Sequence, residues 1–202
     1  MAKIIIAVPC MDQVQSEFAQ TLAMASSYLV AQGHTINVVM VVDSLVASAR
    51  RQLADFFATS DYDYIWWIDS DMWIPHDACQ RLLERDKPFI GVNYRRRRIA
   101  NPSFTAVKDG VEAVVSDDGP ATEQVDAVGH GCLLIHRSVY EKIAPPYYIH
   151  VWNFNLNKEV GEDVFFCKAA TEAGFEIWVD NDLSKEVAHI GTFHFRYDLS
   201  IK

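Results

Sequence analysis

The chain has 202 residues, and its 18 Lys and Arg against 27 Asp and Glu leave a formal charge of −9, which offers no bulk attraction to nucleic acid or an anionic membrane. Half of the residues are hydrophobic and 12% aromatic, which excludes a disordered chain and predicts a packed core of single-domain size. The longest apolar runs, such as IIIAV and VVMVV, fall far short of the roughly 18 residues of a spanning helix, so no membrane span is expected.

KIIIAVPC (3–10) is dense in β-branched residues without a helical period, and predicts a buried strand of the parallel kind. It lacks the longer apolar core of a secretory signal, so a cytoplasmic protein is expected. A helix follows, with Phe18, Leu22, Ala25 and Leu29 at helical spacing, Ser16 able to cap its start and Gly33 to end it. TINVVMVV (35–42) predicts a second buried strand, after which Asp43 or Ser44 opens a helix with Leu45, Ala49, Leu53 and Phe56 on one face. DYIWWID (63–69) predicts a third strand, and Pro75 ends it. This β-α-β-α-β order predicts an α/β fold with an open, mostly parallel central sheet flanked by helices.

Past Pro75, a short helix carries Ala78, Leu82 and Leu83, and FIGVNY (89–94) reads as a fourth strand. Between 101 and 137 the pieces PSFTAV, VEAVV and VDAVGHGCLLIH are broken by the turn signals KDG and SDDGP, which predicts a mixed or antiparallel extension in the C-terminal half. A last helix begins near Gly161 and Glu162 and carries Val164, Phe165, Ala169 and Ala173 before Gly174. FEIWVD (175–180) is then a strand and EVAHIGTFHF (186–195) an extended tail. Cys10, Cys79, Cys132 and Cys167 are scattered without CxxC spacing, which fits reduced, mostly buried thiols.

The third strand is almost wholly apolar and closes on two carboxylates, Asp69 and Asp71. On an extended strand, residues two apart face the same side about 6.5 Å from each other, so both can address one point. Without a counter-charge, that arrangement costs several kcal/mol in a half-buried site, and a divalent ion relieves it. Oxygen ligands favour Mg²⁺ or Mn²⁺, which leave positions open for phosphate oxygens. The location is also apt, because open α/β sheets bind ligands at the carboxyl ends of their parallel strands. The plainer reading is a pair of ordinary turn carboxylates.

YDYIWWIDSDMWI following two β-α units resembles the DxD signature of nucleotide-sugar-dependent glycosyltransferases of the GT-A fold. IIIAVPC, SLVASARRQLADFFATSDYDY, AVGHGCLLIHRSVYEKI, GEDVFFCKAATEAGFEIWVD and VAHIG appear in matching order, so the resemblance spans residues 3 to about 195. It implies one Rossmann-like GT-A domain over 1–202, with a nucleotide-binding half at about 1–94 and an acceptor and catalytic half at about 95–202. The implied donor is a nucleoside diphosphate sugar, UDP first among the nucleotides, and the acceptor a carbohydrate or another hydroxyl compound. The implied cofactor is Mn²⁺ or Mg²⁺.

The resemblance also assigns roles. Asp71 is the principal metal ligand, and Asp69 contacts ribose, metal or a metal-bound water, with Ser70 between them in the donor site. His189 in VAHIG is the third metal ligand, with His194 as its competitor. Pro9 and Cys10 lie where the nucleobase and ribose are held, Asp43 bonds the base, and Arg50 sits near the nucleotide. Asp163, then Glu162, takes the proton from the attacking hydroxyl as general base. Glycines of GHGC (129–132) let the main chain approach the donor sugar, or form a strand bulge.

Several of these residues have plainer uses: Asp43 as a helix cap, Glu162 and Asp163 as acidic residues complementing a helix dipole. The run YRRRR (94–98) can neutralise a diphosphate, grip an anionic acceptor or stand as a solvated loop, and has no catalytic part. Two other functions use the same features: a haloacid-dehalogenase-like phosphohydrolase built on the DxD, and an inactive module that only binds nucleotide sugars. Against the first, Met72 and Trp73 follow the second Asp where that class wants a small residue and then Thr or Val.

Overall fold

A computed structural model of the chain describes residues 1–98, 101–154 and 157–191. The N-terminal half alternates as expected: β1 (Lys3–Cys10), α1 (Ser16–Ala31), β2 (Thr35–Val42), α2 (Val46–Thr59), β3 (Tyr64–Ile68), β4 (Met72–Trp73), α3 (Ala78–Glu84) and β5 (Phe89–Gly91). Shorter pieces follow, namely β6 (Val107–Lys108), β7 (Val111–Glu112), β8 (Thr122–Val125), β9 (Cys132–His136), α4 (Arg137–Lys142), β10 (Val151–Asn153) and β11 (Lys158–Val160). The last elements are α5 (Glu162–Glu172), β12 (Ile177–Asp180), α6 (Asn181–Ser184) and β13 (Ala188–His189).

Among the described residues, seven strands form the central sheet in the order β2-β1-β3-β9-β5-β12-β8. β1 pairs in parallel with β2 and β3, and β12 with β5, while β9 runs antiparallel to both β3 and β5 and β8 antiparallel to β12. Five strands therefore point one way, and β9 and β8 oppose them. The expected mostly parallel sheet with an antiparallel contribution from the C-terminal half is what forms.

The apolar runs of β1 and β3 are uninterrupted because both sheet faces are covered. Ile5, Ala7, Ile65 and Trp67 share a core with Leu53, Ala54 and Phe57 of α2 and Phe166, Cys167 and Ala170 of α5. Ile4, Ile6, Val8, Trp66 and Ile68 face the other way, onto Phe18, Leu22, Ala25 and Leu29 of α1 and Ala78, Cys79 and Leu82 of α3. Gly33 at φ +87° turns the chain out of α1, as its position predicts.

Several local expectations change. β2 is a sheet edge rather than a buried strand, so Val38, Met40 and Val42 are exposed while Val39 and Val41 pack inward. Ser16 is the first residue of α1, and the capping position is Gln15. The buried face of α2 runs through Ala49, Arg50, Leu53, Ala54 and Phe57, leaving Leu45 and Phe56 exposed. In α5 the fully buried row is Glu162, Phe166, Cys167 and Ala170, and Val164 is exposed. Both phase errors share a cause: a charged residue occupies a core position on each helix, so apolar spacing alone misplaces the stripe.

The third strand also stops early, at Ile68. Asp69 begins a tight turn closed by the Met72 N–H on the Asp69 carbonyl at 3.0 Å. The chain then leaves the main sheet as β4, which pairs antiparallel with β13 in the register Met72↔His189 and Trp73↔Ala188.

Candidate active site

The carboxyl ends of β1 and β3 open into a cleft of about 390 Å³ lined by Pro9, Cys10, Asp43, Ser44, Asp69, Ser70, Asp71, Arg97 and His189, among others. A larger hollow of about 570 Å³ lies between the β10–β11 hairpin and α5 but holds neither aspartate of the turn nor His189. The smaller cleft is therefore the one that gathers the carboxylate turn and His189.

Its floor is organised by Arg50. This side chain is 4% exposed and donates from Nη2 to Oδ1 of Asp69 at 2.6 Å, from Nη1 to the His130 carbonyl at 3.3 Å, and pairs through Nε with Oε1 of Glu162 at 3.3 Å. The guanidinium carbon also stands 5.5 Å from the Trp67 ring centroid, within cation–π range. Burial alone would push its pKa down, but the carboxylates of Asp69 and Glu162 outweigh burial and raise it. Asp69 is shifted the other way: burial lifts its carboxyl above the usual range, Arg50 opposes that, and Asp71 adds to it.

Asp71 and His189 meet because β4 and β13 pair. The Ile190 N–H donates to the Asp71 carbonyl at 2.6 Å, and His189 Nε2 comes within 3.4 Å of Asp71 Oδ1. The other imidazole nitrogen lies 3.3 Å from the Arg95 carbonyl, fixing the ring's orientation. Oδ2 of Asp71 is paired with Nη1 of Arg97 at 3.1 Å. Burial works against ionisation of Asp71, but the His189 hydrogen bond and charge, with Arg97, prevail and lower its pKa.

Glu162 and Asp163 open α5 directly after Gly161. Glu162 is buried, held by Arg50 on one side and by His150 Nε2 at 2.9 Å on the other, and His150 Nδ1 reaches Glu159 at 2.9 Å. Asp163 is half-buried and accepts from its neighbour Val164 N–H at 2.7 Å. Burial and then the Glu162 charge raise its pKa, against Arg50 and Arg96. Arg50 thus ties the acidic start of α5 to the carboxylate turn.

Of the residues singled out from sequence, Pro9, Cys10, Asp43, Asp69, Ser70, Asp71 and His189 line one cleft, Arg50 lies beneath it, and Glu162 joins through Arg50. His194 lies outside the described residues. Asp43 accepts from the Leu45 N–H at 3.0 Å and from Gln52 at 3.1 Å, with its pKa lowered by Ser48 first and then Leu45, so it serves the start of α2 while facing the cleft.

One expectation is corrected. Asp69 and Asp71 are presented by a turn rather than an extended strand, and each carboxylate has a counter-charge, Arg50 or Arg97, so an uncompensated pair is not what the chain builds. Among the described residues, no three His, Cys, Asp or Glu side chains form a ready-made cage for an ion; Asp71 and His189 are in contact, and Asp69 is turned to Arg50. The glycines of GHGC also answer to packing, because a Cβ on Gly129 or Gly131 would lie 2.8 or 2.6 Å from the Tyr94 hydroxyl.

His150 is the site residue that sequence reasoning missed, and Arg97 was not separated from its neighbours in a run given three uses: neutralising a diphosphate, gripping an anionic acceptor or standing as a solvated loop. The arginines do not all stand in solvent. Instead, Arg95 is buried, Arg96 Nε donates to the Phe104 carbonyl at 2.9 Å, and only then does Arg97 reach into the cleft. His150 follows the Pro-Pro-Tyr-Tyr segment and carries no local pattern; only the fold brings it to Glu162.

The mostly parallel central sheet flanked by helices matches the GT-A-like fold of solved glycosyltransferases. Among solved structures, A197 from STIV matches 99% of this chain and 92% of its own at a TM-score of 0.67 and 17% identity. A mutant Drosophila β-1,4-galactosyltransferase 7, in complex with manganese, UDP-Gal and xylobiose, matches 95% of this chain and 72% of its own at a TM-score of 0.56 and 20% identity. At these identities the likeness is one of fold. Neither a family model nor a curated protein sequence matches the chain. Among the described residues, no helix is long and apolar enough to cross a membrane.

Proposed function

We propose that the chain is a glycosyltransferase that moves a sugar from a nucleoside diphosphate donor, UDP first among them, to a hydroxyl acceptor such as a carbohydrate. The observation that carries this reading is the acidic turn at the carboxyl ends of β1 and β3, with His189 seated on Asp71 in a cleft otherwise walled by Pro9, Cys10 and Asp43. Support also comes from the galactosyltransferase of like fold, whose complex holds manganese, a UDP-sugar and an acceptor sugar.

The residues fit Mn²⁺ or Mg²⁺ as an open site. Asp71 and His189 offer an oxygen and a nitrogen within 3.4 Å of each other, and ions of this kind keep their remaining positions for water and phosphate oxygens. Bound there, the ion would supply positive charge to the departing diphosphate. Pro9 and Cys10 border the nucleoside, and Asp69, with Oδ1 held by Arg50, offers its other oxygen to a ribose hydroxyl.

By the sequence resemblance Asp163 serves as the general base; it opens α5 beside Glu162, outside the lining of the cleft, and its raised pKa favours proton acceptance. The acceptor hydroxyl gives its proton to Asp163 as its oxygen bonds to the anomeric carbon, and the bond from that carbon to the diphosphate oxygen breaks. Glu162, enclosed by Arg50 and His150, positions rather than reacts. The phosphohydrolase alternative finds no support, because Asp69 follows the third strand and the antiparallel β9 lies beside it.

A thermal-shift series with UDP and GDP, with and without Mn²⁺, tests the reading. A ligand at about 100 times its Kd adds about 2.7 kcal/mol to native-state stability, which for a chain of this size raises Tm by roughly 5–10 °C. UDP with Mn²⁺ is expected to give such a shift, and Asp71→Asn to remove the Mn²⁺-dependent part. No shift with either nucleotide would overturn the assignment.

A further inference from the structure

Both oxygens of Asp71 are occupied before any ligand enters: Oδ1 by His189 Nε2 and Oδ2 by the Arg97 guanidinium. A divalent ion on Asp71 would repel the guanidinium 3.1 Å from the same carboxylate, so the ion and Arg97 compete for that side chain. The backbone around Arg97 is held. Arg96 N–H donates to the Ser103 carbonyl at 2.8 Å, Arg98 N–H to the Arg96 carbonyl at 2.7 Å, and the Arg95 carbonyl lies against His189. The Arg97 side chain, by contrast, is 50% exposed at the cleft.

A displaced guanidinium stays in a cleft whose other carboxylates already have partners on at least one oxygen: Asp69 Oδ1 on Arg50, and Asp43 on Leu45 and Gln52. A diphosphate in the cleft supplies an anion, and the planar fork of arginine suits paired phosphate oxygens. Resting on the donor-site reading above, we propose that Arg97 is a counter-ion latch. It closes Asp71 while the cleft is empty and transfers to the donor diphosphate when metal and nucleotide enter, so that each ligand strengthens the binding of the other. The diphosphate-neutralising use of the run thereby falls to one residue: Arg95 and Arg96 anchor the segment, and Arg97 carries the mobile charge.

The test is a Mn²⁺ titration followed by the electron paramagnetic resonance signal of free aquated Mn²⁺, with and without UDP, on the wild-type chain, Arg97→Ala and Arg97→Lys. Comparing variants at the same UDP concentration cancels the Mn²⁺–UDP complex formed in solution. Wild type is expected to bind Mn²⁺ about tenfold or more tightly when UDP is present, a coupling typical of linked sites. Arg97→Ala is expected to bind Mn²⁺ alone several-fold more tightly than wild type and to lose most of the UDP enhancement, while Arg97→Lys keeps part of it. Equal Mn²⁺ affinity and equal enhancement in wild type and Arg97→Ala would overturn the latch and leave the donor-site reading standing. Failure of every form to bind Mn²⁺, with or without UDP, would overturn the metal site and the latch together.

Discussion

Replacing Arg50 with Met removes the one cation that Asp69 and Glu162 share, without leaving a large void. Breaking a buried pair by deleting one partner typically costs about 3–5 kcal/mol, because the surviving charge stays desolvated. Two carboxylates survive here, with side-chain exposures of 23% for Asp69 and 10% for Glu162. Asp69 can relax into the cleft or take up a proton, which places the loss at the lower end, about 3 kcal/mol. For a chain of this size that is roughly 6–12 °C in Tm. Urea unfolding followed by tryptophan fluorescence suits the measurement, since Trp67 lies against the replaced guanidinium.

The loss should also depend on pH. Burial already holds the Asp69 carboxyl above its usual range against the pull of Arg50, so removing Arg50 raises it further. An acid whose folded pKa is raised is destabilising; the penalty is absent below its unfolded pKa, grows as pH climbs from that value to the folded one, and is complete above it. The gap between wild type and Arg50→Met should therefore narrow as pH falls from 7 towards 4. Adding Asp69→Asn and Glu162→Gln to Arg50→Met should recover much of the stability at neutral pH. A loss below about 1 kcal/mol, or one that is the same at both ends of that range, would refute the account of Arg50 as the electrostatic keystone of the site.

Other expectations follow from the same geometry. Asp163→Asn should cut turnover at least about a hundredfold, measured as transfer or as slow donor hydrolysis with water as acceptor, while the UDP-induced thermal shift persists; unchanged turnover would remove Asp163 as the base. Gly131→Ala should cost about 1–3 kcal/mol, read by urea unfolding, because the new methyl would stand 2.6 Å from the Tyr94 hydroxyl and 2.7 Å from its ring carbon. Burial raises the thiol of Cys79 well above its ordinary value, and those of Cys132 and Cys167 to about 12. A thiol reagent at pH 8 should therefore reach these three cysteines only after denaturant is added, and rapid native labelling of any of them would contradict their burial.

The sheet was legible where one physical signal dominated. In β1 and β3, continuous β-branched and aromatic runs mean burial on both faces, and the structure has them so. β2 has the same composition but sits at an edge, and composition does not record what lies beyond a strand. Helix faces were misphased where Arg50 and Glu162 take core positions, and those are the two residues that join the carboxylate turn to α5. The acidic turn stood out because two carboxylates end an apolar strand. Arg97 and His150 did not, since their use depends on pairings across 26 and 12 residues of chain, Asp71 to Arg97 and His150 to Glu162, that no local spacing encodes.

The two-residue ladder between β4 and β13 has a consequence for the order in which the molecule matures. It joins residues 72–73 to residues 188–189, and brings His189 against Asp71. During synthesis the N-terminal β-α units emerge first and can begin to fold as they appear, yet the Asp71–His189 contact is absent until residue 189 has left the ribosome and docked. A partly made chain can therefore bury a hydrophobic interior before this corner of the cleft is assembled, which marks completion rather than collapse.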